Sequence, residues 1–525
     1  MKARNMSQLF TLFTLVLVIG LNVNSSTAQT WSSDVADIVY AKCTPCHRDG
    51  EIAPFPLERY EDAANYGSLI KHAIEIGEMP PWPPAKGHGD FLGDRSLSDA
   101  EKNTIIAWID ANMPEGDPAT APKPPVFPEG SQLGTPDLVL EMSESWTVQD
   151  NYKDVYRFFV IPTNLLKDRN IKAIEFRPGN AKVVHHVLYF LDTTGTARAR
   201  DAADPAPGYA GFGDPGFETA SSYLGWVPGA QQRFYPESIG ARMYQGSDLV
   251  IQVHYAPSTT IETDRSHVNI FFHDEEEVRE VQEFALTPRE LVSGNFVIPA
   301  NTERTFLTSF NIPVDVSIIA VAPHMHLLGS SARAFAVKPT GDTIRLIRIN
   351  DWDFHWQGGY AFRHPIKVPR GSKLYYEASY NNTTSNPHNP NTPPRLVTWG
   401  ESTTDEMLLC YFHWLPYQAG DEALNMETTV GVYEEQLLGG MVLSSAPQPA
   451  SDRARVRITS DQEAEITLSL MDHLGRIAES SASAHMISPG ENDLPIDVSG
   501  CASGLWYAVI TTNGMSRTLP IVVLH

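Results

Sequence analysis

The sequence predicts a multidomain, mainly-β chain: a small all-α domain, two β-sandwich domains in series, and a small β-sandwich tail. Three observations carry this. The 525 residues exceed one ordinary domain and suit three or four. One-sided apolar helical stripes are confined to residues 31–117. From about 134 onward the chain becomes short alternating runs punctuated by Gly, Pro, Asn and Asp, which is the pattern of sandwiches.

Residues 1–28 read as an export signal. Lys2 and Arg4 precede the apolar stretch "LFTLFTLVLVIGL", and Ser26 and Ala28 offer a cleavage site. The apolar stretch is short for a bilayer-spanning helix of ~20 residues, so a membrane anchor is the lesser reading. A formal net charge of −24 disfavours nucleic acid and anionic membrane surfaces as partners. The expected mature protein is exported, first to the periplasm and then to the medium or cell surface, with no membrane span.

The helical domain, 31–117, opens with "SSDVADIVYAK", whose Val35, Ile38 and Val39 form one face. It closes with "LSDAEKNTIIAWIDANMPEGDP", where Ser98 and Glu101 make a capping box and Ile105, Trp108 and Ile109 share a face. A linker, 118–133, follows; six prolines occur in the seventeen residues 114–130. Between the helices stands "CTPCH", the pattern for covalent attachment of a c-type haem. Cys43 and Cys46, three apart on a helix, would form the thioethers, and His47 would be the proximal iron ligand. A thioredoxin-type pair or half a zinc site fits less well, because a histidine follows the second cysteine directly. The second axial ligand is expected at Met79 in "EIGEMPPWPP", with His72 and His88 as rivals; a His/Met pair suits electron transfer. The segment resembles a small bacterial cytochrome c domain, closing helix included.

The β region carries histidines in unusual company. "KVVHHVLYF" holds His185 and His186, "LVIQVHYAP" holds His254, "VAPHMHLLG" holds His324 and His326, and "STTDEMLLCYFHW" holds Met407 and His413. A lone strand histidine is ordinarily a hydrogen-bonded core residue. Several buried imidazoles without a shared partner would each cost desolvation, an objection that a metal removes. Imidazole suits copper or zinc, and an added thioether selects copper. No carboxylate stands at ligand spacing and no "HExxH" occurs, so zinc hydrolase chemistry has little support. In a regular strand His324 and His326 share a face while Met325 points into the core. By the same rule His185 and His186 face opposite sides, and can meet one ion only at a strand end or an irregularity.

In this order the four motifs resemble the type II copper, ascorbate-dependent monooxygenases, the family of the peptidylglycine α-hydroxylating and dopamine β-monooxygenases. The resemblance implies two jelly-roll domains, 134–290 and 291–440, and two copper ions. It implies that His185, His186 and His254 hold the copper that stores an electron. His324, His326 and Met407 would hold the copper where O2 binds and C–H hydroxylation occurs. Gln252 stands where the family has a glutamine. The arginine that reads a peptide carboxylate in the animal enzymes is Ala322 here, and its companion asparagine is Leu409; only Tyr411 remains. A peptide C-terminus is therefore not the expected substrate. His413 and Tyr411 follow Met407 by alternation, toward a substrate cleft; packing is an equal reading for Tyr411 and the favoured one for Trp414.

The expected function is a secreted copper monooxygenase acting on a small organic substrate and O2. An ascorbate-like reductant or redox protein would supply electrons, relayed singly by the covalent haem c to the three-histidine copper. The alternative is a non-catalytic copper-binding or electron-transfer protein. The tail, 441–525, with "PQPASDR", "DHLGR" and "SGLWYAVI", resembles the C-terminal sorting domains of type IX secretion, which implies a secretion-machinery partner; a carbohydrate-binding or structural β-domain is the other reading. Asn513-Gly514 is expected to turn its last hairpin. No role is assigned to Cys410 or Cys501.

Overall fold

The computed structural model describes residues 29–525 except 126, 128–129, 222, 224, 231, 275–276, 401, 428–435, 439–440, 447–449, 451–452, 461, 473–475, 477–482, 513–514 and 524–525. The export signal, the Asn513-Gly514 turn and parts of the tail motifs lie outside the described residues. Among the described residues no helix is long and apolar enough to cross a membrane.

The N-terminal part is helical: α1 Ala36–Lys42, α2 Tyr60–Asn65, α3 Gly67–Glu75 and α4 Asp99–Asp110. The capping box forms as the sequence requires. Ser98 accepts from the Glu101 amide, and the Glu101 carboxylate accepts from the Ser98 amide at 2.6 Å. Trp31, Val35, Val39, Ile105 and Trp108 meet in one small core. Its size explains why this part leans on the rest of the chain. The segment after α3 runs onto the second sandwich, where Ala85 N–H donates to Arg348 O and Leu92 N–H donates to Ala361 O. Phe91 is buried in that sandwich's core, 5.0 Å from the Phe362 ring.

Three strands of the first sandwich matter for the site: β1 Val155–Pro162, β2 Val184–Asp192 and β3 Asp248–Tyr255, antiparallel in the order β2-β3-β1. Every residue of β3 is buried, as expected for the middle strand. A second sheet, containing Arg169–Arg177, Ile239–Met243 and His267–Phe272, closes the core. In the second sandwich β4 Gln282–Leu286, β5 Val316–His324, β6 Tyr360–Val368 and β7 Leu409–Pro416 lie in the order β4-β7-β5-β6. A four-stranded sheet of Thr302–Asn311, Gly329–Val337, Thr343–Ile349 and Lys373–Asn382 packs against it. Because β4 pairs with β7, the second sandwich begins several residues before the division at 290 read from the sequence. Arg279 ties the two sandwiches through a bidentate ion pair to Asp421, 2.7 and 2.8 Å, and Ser317 completes the carboxylate's shell.

The tail forms two four-stranded sheets over an apolar core. Arg453–Ser460 alternates exposed and buried residue by residue, which is the signature of a half-buried strand. Cys501 packs in that core and Cys410 in the core of the second sandwich.

Candidate metal centres and a candidate haem-attachment loop

The "HH" pair is resolved by a break in register. Val184 pairs with Tyr255 but His186 pairs with His254, so one residue of β2 bulges at the strand's start. A bulge re-aims a side chain, and here it turns both imidazoles to one side. His185 Nδ1 and His254 Nδ1 each lie 3.2 Å from His186 Nδ1. The three ligand atoms all fall within 4.8 Å of one another.

A carboxylate that sequence spacing did not reveal completes this cluster. Asp154, just before β1, meets His254 Nε2 at 2.7 Å. That bond takes the Nε2 proton and leaves the Nδ1 lone pair aimed at the cluster, the arrangement found behind metal-bound imidazoles. Tyr156 stacks on the His254 ring at 4.2 Å. Burial, followed by its neighbours' charges, drives His186 well below the ordinary imidazole value. His185 and His254 are lowered too, chiefly by burial. Three neutral imidazoles with converging nitrogens are a group that could hold a metal ion. Gln252, also buried, donates to Gly211 O at 3.3 Å.

The second group forms at the end of β5. The strand stops at His324, so His326 lies just past it; the rings nevertheless meet edge to face, 5.2 Å apart. Met325 is fully buried in the opposite direction, in the core. Burial and then His326 lower His324 to about 3; burial lowers His326 against the opposing Asp405 carbonyl. Met407 is buried two residues before β7, whose Leu409 pairs with His324. Its position is fixed by Glu406, a residue quoted in the motif without a role. The buried Glu406 carboxylate accepts from the amides of His326 (2.9 Å), Leu328 (2.6 Å) and Met407 (3.2 Å). Burial pushes this carboxyl up to about 8 although those amides pull it down. Two imidazoles and a thioether-bearing residue held so close suit a soft cation.

The two groups face each other. Phe354 stacks on His185 at 6.4 Å and meets His326 edge-on at 5.8 Å. His413 does not join them. Its Nε2 pairs with Glu283 at 2.9 Å and the ring is buried in the sheet, so its role is structural. Burial raises Tyr411, which pairs with Ala322 across β5 and β7.

In the helical part Cys43 and Cys46 are unpaired thiols, partly exposed, and lie in a turn directly after α1 rather than on the helix expected. His47 Nδ1 lies 3.1 Å from Phe55 O, which leaves Nε2 free. Two free thiols and an imidazole with one nitrogen so anchored fit a covalently attached haem. Met79 is half-buried at the start of the segment crossing to the second sandwich, His88 is half-buried further along it, and His72 is exposed on α3.

Residues 292–436 match the family model for the C-terminal domain of copper type II ascorbate-dependent monooxygenases. The matched stretch contains His324, His326 and Met407, and supports a copper-dependent oxidoreductase domain there. No curated protein matches the chain. Among solved structures, a Faecalibacterium prausnitzii β-glucuronidase aligns at 7% identity over 43% of this chain and 38% of its own, with TM-score 0.13. A Lactobacillus rhamnosus β-glucuronidase aligns at 14% over 43% and 36%, with TM-score 0.12. The chain thus spans under two-fifths of those proteins, and similarity this low carries no functional argument.

Proposed function

We propose that this is an exported copper-dependent monooxygenase that hydroxylates a C–H bond of a small organic substrate, fed with single electrons through a c-type haem domain. The observation that carries the reading is the convergence of two ligand groups, one inside the matched domain and one in the sandwich before it. When bound, two copper ions would supply one-electron reduction of O2 and the haem would supply single-electron exchange. The overall change is R–H plus O2, two electrons and two protons giving R–OH and water.

The side chains divide this work. His185, His186 and His254, with Asp154 behind, would hold the electron-storing copper; His324, His326 and Met407, positioned by Glu406, would hold the O2-reactive one. Cys43 and Cys46 would tether the haem, with His47 and Met79 as axial ligands. Contacts of the helical domain support this relay reading. A Cβ on Gly229 would stand 2.6 Å from Cys46 Sγ, and Arg95 clasps Gly229 O at 2.5 Å. Three residues earlier, Trp226 exchanges two 2.8 Å backbone hydrogen bonds with Val187, the neighbour of His186. A continuous chain of bonds and contacts therefore joins the haem-attachment loop to the first histidine cluster, and tethering keeps the donor at high effective concentration. The tail serves type IX secretion in this reading.

Replacing His47 or Met79 tests the relay. Turnover driven by a reduced redox partner should fall while copper content stays unchanged. Turnover equal to the wild type would end the relay proposal.

A further inference from the structure

Beside the second ligand group lies a cavity of about 20 Å³, bordered by His326, Asp353, His355 and His388. A void of ~10–15 Å³ holds one water molecule, so this one admits a single water-sized species. Asp353, His355 and His388 are exposed, the His355 side chain to 60%. A ring of further metal-binding side chains therefore stands between solvent and a ligand of the second group.

An exposed imidazole ordinarily samples several rotamers, but these two are held. Asp353 Oδ1 accepts from the His355 amide at 2.9 Å and meets His355 Nδ1 at 2.9 Å. The carboxylate stands behind the ring and leaves Nε2 outward, the counterpart of Asp154 behind His254. Asn386 fixes the other histidine. Its Oδ1 accepts from the His388 amide at 2.9 Å while its Nδ2 donates to Leu327 O at 3.2 Å. The turn carrying His388 is thereby pinned to the residue after His326. Burial would raise the Asp353 carboxyl, but its bonds to His355 and the charges of both histidines hold it below its ordinary value.

The spacing suits a passing ion rather than a resident one. The His355 and His388 rings lie 6.4 Å apart, against 5.2 Å for His324 and His326, so the exposed pair must swing inward to close on an ion. Nitrogen and oxygen donors without sulfur suit Cu(II). The short turn that carries His355 also carries Phe354, whose ring meets both His185 and His326. Resting on the copper monooxygenase reading, we propose that Asp353, His355 and His388 form a third, exchangeable Cu(II) site that loads the group of His324, His326 and Met407. The two imidazoles take the ion from solvent, and it passes to His326 across the shared cavity by ligand exchange, with no change of oxidation state.

The test uses the full chain with its haem, dialysed so that only the two resident copper ions remain. Calorimetric titration with Cu(II) in mildly alkaline buffer should show one further equivalent, at least tenfold weaker than the resident ions and removed again by dialysis. His355→Gln combined with His388→Gln should abolish that equivalent. The same variant, stripped of copper, should regain it at least fivefold more slowly than the wild type and still reach two ions per chain. Unchanged haem spectrum and circular dichroism establish that the variant is folded. No further equivalent, a further equivalent indifferent to the double substitution, or copper return at the wild-type rate would overturn the inference. An equivalent that depends on His355 and His388 in a chain whose other two groups take no copper would keep this site and defeat the monooxygenase reading instead.

Discussion

Asp154→Asn probes the first metal centre without touching a ligand. The wild-type carboxylate lies 2.7 Å from His254 Nε2, and the His254 ring is 2% exposed, so solvent cannot replace the bond. Asparagine retains an acceptor oxygen of nearly the same size but no charge. Loss of such a charged partner behind a metal-bound imidazole costs about 10- to 100-fold in metal affinity, or roughly 1.4–2.7 kcal/mol. Fold stability should fall less, by about 1 kcal/mol, because a neutral hydrogen bond remains. The assay is competition for Cu(I) against a colorimetric chelator in a His324→Ala background, so that only the first site reports. An affinity within twofold of the Asp154 protein would refute the reasoning, since the carboxylate would then be an ordinary surface partner of a core histidine.

Other consequences are as direct. Glu406→Ala leaves three buried amides without their acceptor, each costing about 1–3 kcal/mol. It should lower the unfolding midpoint and abolish copper at the second site while the first still loads. Hydrogen bonds and the Arg279 charge outweigh partial burial and depress Asp421 from 3.8 to about 2. Its pairing therefore contributes about 2 kcal/mol at neutral pH, present above about pH 4 and lost as the pH falls toward 2. The difference in unfolding midpoint between wild type and Asp421→Asn should shrink over that interval; a constant difference would show that the charge is not its source. Cys43→Ser combined with Cys46→Ser should leave any haem extractable by acidified organic solvent, and a covalently retained haem would exclude this loop as the attachment site.

The histidines drew attention in the sequence because buried imidazoles are expensive unless they share a partner. The grouping of His185, His186 and His254, and of His324 and His326 with Met407, came from the family resemblance. How they meet was less legible. Alternation along β2 forbids the "HH" pair, and only the bulge reconciles it; a bulge depends on the partner strand β3. Alternation also misled at His413, which follows Met407 in phase but pairs with Glu283 on β4, 130 residues earlier. Asp154 and Glu406 were missed for a related reason: Asp154 acts on His254, 100 residues on, and two of the three amides that Glu406 binds lie about 80 residues earlier. The Glu406 signal was present as an acid inside a mostly apolar stretch next to a ligand, and a buried acid there has to satisfy backbone donors. The sequence also showed a helical domain, strands and a proline-rich linker, but not the crossing of residues 84–92 onto the second sandwich. That contact depends on partners some 260 residues further along the chain, such as Arg348 for Ala85 and Ala361 for Leu92.

The most direct test of the account is metal and haem analysis of the purified full-length protein, wild type beside His324→Ala. Two copper ions and one covalently bound haem per chain are expected, with one copper lost in the variant. Zinc in place of copper, or copper content unaffected by His324→Ala, would contradict the account.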